Sequence, residues 1–176
     1  MAEQPLTLEL LLGAVESVLS ARLSEIAAFL RGPLHGVPAT LPALALEYAE
    51  VLPGSDPGSG ETALLCGLQA RILVTRDGTE AEALALRAVA ALAVLLRAQT
   101  WGLEVQPVSF IQARPDEDNP ALAACRVWCV EWRQPLLLGE PEWPWDDQPP
   151  GSLLLGLDPE TGPGHEDDYF VPEALQ

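Results

Sequence analysis

The sequence predicts an α+β fold: a mixed or antiparallel sheet of about four strands with helices packed on it, followed by an extended acidic C-terminal arm. Three observations carry that expectation. Apolar residues recur at helical spacing in two long stretches. Between them, and again after the second, apolar and polar residues alternate with a period of two. Past Gly139 the composition changes so sharply that a boundary is expected there, with residues 1–138 as the domain and 139–176 as the arm.

From Thr7 to about Arg31, Leu8, Leu11, Leu12, Val15, Val18, Leu19, Leu23, Ile26 and Leu30 fall on one helical stripe. Thr7 is the expected N-cap and Gly32-Pro33 the stop, for one helix or two broken ones. In the segment "HGVPATLPALALEYAEV", Leu44, Leu46 and Tyr48 alternate with Ala45, Glu47 and Ala49 as in a half-buried strand. "PGSDPGSGE" is a concentrated turn signal and ties this strand to an antiparallel partner. That partner is "TALLCGLQARILVTRDG", with Leu64, Cys66, Leu68, Ala70, Ile72 and Val74 on one face and Gly67, Gln69, Arg71 and Thr75 on the other.

Thr79 stands three residues ahead of Glu82, the spacing of a capping box. The helix it opens, "EAEALALRAVAALAVLLRAQT", places Leu84, Ala88, Ala91, Leu92 and Leu95 on one side and is apolar nearly all round. Such a helix is expected to meet the sheet on one side and another element or another subunit on the other. Trp101-Gly102 is the expected helix end. A third strand lies in "LEVQPVSFIQARPD", where Pro107 favours a sheet edge or a bulge. In the fourth, "CRVWCVEWRQPLLLGE", Cys125, Val127 and Cys129 point one way while Arg126, Trp128, Val130 and Trp132 point the other. Neither face is polar, so both are expected to be covered, one by the domain's own helices.

The arm holds ten acidic residues, seven prolines and no basic residue, which gives it no means to build a core of its own. Trp143, Trp145, Tyr169 and Phe170 are costly in a solvated tail and read as anchors that lie on a neighbouring surface or on the domain itself. Pro141 and Pro144 keep Trp143 and Trp145 out of helix and sheet interior.

Spacing argues against most site chemistry. Cys66, Cys125 and Cys129 include no CxxC pair, and a four-residue step along a strand separates Cys125 from Cys129 by roughly 13 Å, beyond disulfide reach. All three are expected to be inert core thiols. His35 and His165 lie in a Gly/Pro-rich loop and in the arm, away from those thiols. "GHEDD" lacks the spacing and the ordering glycine of a calcium loop, and "PGSDPGSG" lacks the lysine and the following helix of a phosphate loop. No enzyme, metal or cofactor is therefore expected. With 176 residues, 48% of them hydrophobic, the chain can bury one sizeable core. Nine arginines, with no lysine, face 26 acidic residues for a net charge of −17, so nucleic acid and anionic membrane are not expected partners. There is no secretory signal and no run long and apolar enough to span a membrane, which makes the cytoplasm the default address.

The stretch "ALALRAVAALAVLLRAQTWGLEVQPVSFIQARPDEDNPALAACRVWCVEWRQPLLLGE" resembles the tail terminator, or tail completion, proteins of long-tailed phages, particularly those of Mu-like contractile-tailed phages. The resemblance rests on the alanine-rich helix ending in "WG", the short strand before "RPDED", and the aromatic strand "VWCVEWRQ" running into "LG". It covers residues 79 to 140 well and the N-terminal half by element order. It implies a homo-oligomeric ring, a hexamer, at the head-proximal end of the tail tube, contacting the tube protein and the sheath or head-tail connector in the virion's neck. Assembled in the host cytoplasm, such a ring stops tube polymerisation and offers the head its joining surface. Trp and Arg are favoured at subunit interfaces, so Arg126, Trp128, Trp132, Arg133, Trp143, Trp145, Tyr169 and Phe170 are the expected docking residues. The alternative is a non-enzymatic assembly factor or binding module absent from the mature particle.

Overall fold

Thr7 opens the first helix as expected: its hydroxyl accepts the Leu10 backbone N–H at 3.0 Å, capping α1, Leu8–Arg22. The computed structural model describes residues 5–116, 118–141, 154–157, 159, 161, 164–165 and 168–170. Chain contacts divide into two compact units, Met1–Glu142 and Trp143–Gln176. In the first unit α1 is followed by β1, Ala28–Arg31, then β2, Ala43–Pro53, and β3, Thr62–Thr75. The helix α2 spans Thr79–Leu95, and β4, Ser109–Pro115, precedes β5, Cys125–Leu138.

The five strands form one sheet in the order β1-β2-β3-β5-β4. All neighbours are antiparallel except β1 and β2, so the sheet is mixed, with one strand more than the sequence suggests. The extra strand, β1, replaces the last turn of the expected first helix. That helix stops at Arg22, with Leu23 in a non-helical conformation. Leu23 and Ile26 keep the apolar spacing because both are still buried, which is why the helical stripe appears to run on.

Residues 54–61 join β2 to β3 as the turn signal predicts. Asp56 accepts the Gly58 N–H, and Gly58 and Gly60 adopt positive φ. The expected capping box at Thr79 does not form: Gly78 is the N-cap and no side-chain cap bond is made. α2 also ends earlier than expected, at Leu95, although Gly102 does take a left-handed conformation, φ +74°. β4 is an edge strand, in keeping with Pro107 just before it. Its pairing with β5 slips between Phe110 and Gln112, leaving Ile111 as the extra residue of a bulge.

Strand alternation gives the sheet two different faces. On one, Leu44, Leu46, Cys66, Leu68, Ala70, Ile72, Val130 and Trp132 form the main core with Leu11, Val15 and Leu19 of α1 and Ala88, Leu92 and Leu96 at α2. α2 lies over β3 and β5 and α1 over β2. The buried stripe of α2 is Ala85, Ala88 and Leu92, while Ala91 faces outward. Trp101 and Trp132 meet with ring centroids 6.2 Å apart. Buried beside them, Gln134 accepts the Trp101 indole N–H at 2.9 Å and donates to the Gln106 carbonyl. This bond pair pins the segment between α2 and β4 to β5.

Candidate functional site

The second face of the sheet is half dry and half charged. At its dry end Ala43, Ala45, Leu73, Cys125, Val127 and Leu122 cluster under Leu34 and Leu41. Those two leucines belong to residues 32–42, the crossover from β1 to the parallel β2. That segment and the turn around Leu122 are the cover the sequence left unidentified on the Cys125 side of β5.

Further along, the same face carries a lattice of polar side chains in strand register. Glu47, Gln69, Glu131 and Gln112 stand in one row across β2, β3, β5 and β4. Gln69 donates to Glu47 at 2.6 Å and Gln112 to Glu131 at 2.9 Å. Arg71 binds Glu47 and, at 2.7 Å, Asp116, whose carboxyl is nearly buried. Burial works to lower the Arg71 pKa, but the bonds from Asp116 and Glu47 outweigh it and hold the group above its ordinary value. Arg114 reaches Glu131 at 3.5 Å. Glu50 extends over Gly67, where a Cβ would meet its Cγ at 2.7 Å, and contacts Arg133 at 3.2 Å.

Cys129 sits under this lattice, fully buried. Burial chiefly, with Glu131 and Asp116 adding to it and Arg71 and Arg114 opposing, pushes its thiol up to about 11. Cys66 and Cys125 are likewise buried and free, their thiols raised by desolvation. A protonated, enclosed sulfur is a poor nucleophile. Among the described residues no group of three or more His, Cys, Asp or Glu side chains is placed to hold a metal ion. No helix among them is long and apolar enough to cross a membrane.

The expected docking residues separate into distinct roles. Trp132 is 1% exposed and packs in the core of the helix-covered face. Trp128 is half-buried against the same core. Arg126 reaches Glu82 in the first turn of α2 at 3.4 Å and so ties β5 to that helix. Arg133 is on the open face, engaged with Glu50. In the second unit Phe170 pairs with Leu155 through two backbone bonds of 2.8 and 3.1 Å, and the Tyr169 ring lies against Gly156. Trp143 and Trp145 lie outside the described residues.

Two outward apolar features were not singled out by residue. Along α2, Leu86, Ala90, Ala91 and Val94 face solvent, with Leu86 46% and Val94 76% exposed. Arg87, held by Glu25 and Glu80, is the sole charged side chain between Glu82 and Arg97. Beside this stripe Arg22, Leu23, Ala90, Ala91, Val94 and Leu95 line an open groove of about 440 Å³. At the bulge of β4, Phe110 and Ile111 are each nearly half exposed. Counting charges along "RAVAALAVLLR" would have found the first feature. Nothing in "SFIQ" signals a bulge.

Fold and surface together define a two-layer α+β domain with helices on one side of a mixed sheet. No protein-family model and no curated protein matches the chain. Among solved structures, a chain in the virion of a native gene transfer agent particle is similar over 70% of this chain and 86% of that one, with a TM-score of 0.41 and 18% identity.

Proposed function

We propose that this protein is a structural component of a phage tail, a tail terminator whose copies close into a ring on the end of the tail tube. The observation that supports the reading is α2. A helix that is apolar all round is stable when covered all round, and here the chain covers one side with its own sheet and leaves Leu86, Ala90, Ala91 and Val94 open. Covering Leu86 and Val94 contributes about 1–2 kcal/mol each. The exposed Phe110-Ile111 pair supplies a second, different apolar patch, and a head-to-tail contact around a ring axis requires two unlike surfaces. In a chain of net charge −17, copies meet most readily where charge is lowest, and these patches are such places.

The hexamer, the tube protein and the head-side connector as neighbours, and the place in the virion neck, follow from the sequence resemblance. An acidic ring also suits a passage through which DNA must move without sticking. No catalytic step is part of this function. Native mass measurement and electron microscopy of the purified protein test it. The expected result is a closed ring of fixed subunit number, also seen at the head-proximal end of isolated tails. A monomer at high concentration, together with absence from mature particles, would instead establish the assembly-factor alternative.

A further inference from the structure

We infer that the groove between the C-terminal ends of α1 and α2 receives residues 140–147, the sequence EPEWPWDD, of a neighbouring copy. The inference rests on the self-assembly reading above and names the contact that joins the copies. It starts from the arginines. Of the nine in the chain, six are in ion pairs with carboxylates and Arg76 donates to the Ala123 and Cys125 carbonyls. Arg22 and Arg97 alone have no hydrogen bond or ion pair among the described residues.

Each stands at the C-terminal end of a helix. Arg22 lines the groove, and Arg97 follows Val94 by three residues at the end of α2. Helix C-termini favour a cation, but that partial charge does not replace a carboxylate, and this chain carries nearly three acidic residues for each arginine. An apolar groove with one uncommitted cation in its lining, Arg22, and a second, Arg97, one helical turn beyond Val94, fits a ligand with large apolar side chains flanked by acidic ones.

The chain contains two stretches of that kind. In the stretch ending at Tyr169 and Phe170, Phe170 is bridged to Leu155 and the Tyr169 ring packs on Gly156 within their own unit. The other is EPEWPWDD, in which Trp143 and Trp145 lie between Glu140, Glu142, Asp146 and Asp147. Tryptophan and arginine are the residues that most often dominate binding energy at an interface. The alanine floor at Ala90 and Ala91 leaves room for an indole ring. Exchange between copies makes each arm the clasp for the next subunit.

Cysteine cross-linking between differently tagged full-length chains tests this. One chain carries Val94→Cys and the other Trp145→Cys; the native cysteines are buried and stay out of the reaction. Mild oxidation should join the two tags, and adding Arg22→Glu with Arg97→Glu should lower the yield about tenfold. Circular dichroism of each variant establishes that the fold is retained. In a single chain carrying both V94C and W145C, a bond formed within that chain, with none between tags, would overturn the inference. So would an intact oligomer that gives no V94C–W145C product, and that result would leave the ring itself standing. Protein that is monomeric throughout would remove both readings.

Discussion

The two faces of the sheet are made by the same strands and do opposite work. On the helix-covered face most positions, Gln134 and Tyr48 apart, are filled by apolar side chains, and the rows Leu44-Ile72 and Leu46-Ala70 continue into Trp128 and Val130. On the other face the rows between them hold Glu47, Gln69, Arg71 and Glu131, where each group is satisfied by one on the next strand. The dry face supplies stability through area removed from water. The charged face adds little net energy, because desolvation offsets attraction, but a slip of one residue would place its charges in the core. It therefore serves to fix register.

Four perturbations break or sharpen this contrast. The largest is Trp132→Ala on the dry face, which should cost about 3–5 kcal/mol of unfolding free energy, read from denaturant or thermal unfolding. Next, Arg71→Met should cost about 2 kcal/mol, since it strands the nearly buried Asp116 and Glu47 while Arg71 itself is partly solvated. Adding Asp116→Asn should recover part of that loss, and a double-mutant cycle with no coupling would refute the lattice.

The third concerns Cys129, whose thiol titrates at about 11 in the fold against an ordinary 9.0. Between those values the folded chain keeps a proton that the unfolded chain gives up. Its contribution is thus present below pH 9 and lost as pH rises toward 11. Native protein at neutral pH should leave this thiol unlabelled by iodoacetamide, and rapid labelling would contradict its burial. The smallest effect on the fold is expected from Val94→Asp, within about 0.5 kcal/mol because the site faces solvent. That variant should nevertheless lose self-association in sedimentation, and unchanged assembly would remove α2 from the interface.

Much of this contrast is legible in the sequence. A period of two over residues 62–75 sorts Cys66, Leu68, Ala70 and Ile72 from Gln69 and Arg71, and the structure puts them on opposite faces. What was illegible depends on partners distant in sequence. β1 is four residues long and is a strand because it pairs with β2, while its own Leu30 continues a helical spacing. Trp132 reads as a docking residue by type, and only the meeting with Trp101, 31 positions earlier, places it inside. The capping box at Thr79 fails because Gly78, at φ +111°, takes the cap position itself. Arg97 offered a usable sign: no acidic residue stands within four positions of it.

The borders of the sheet decide what kind of aggregate is open to the molecule. On one side β1 is too short to template another chain, and on the other the Ile111 bulge and terminal Pro115 spoil the ladder. Backbone zippering, which has no natural end and yields fibres, is denied at both margins. Any contact between copies is left to side chains, which must match in shape and charge, and that demand is far more selective than the pairing of bare backbone.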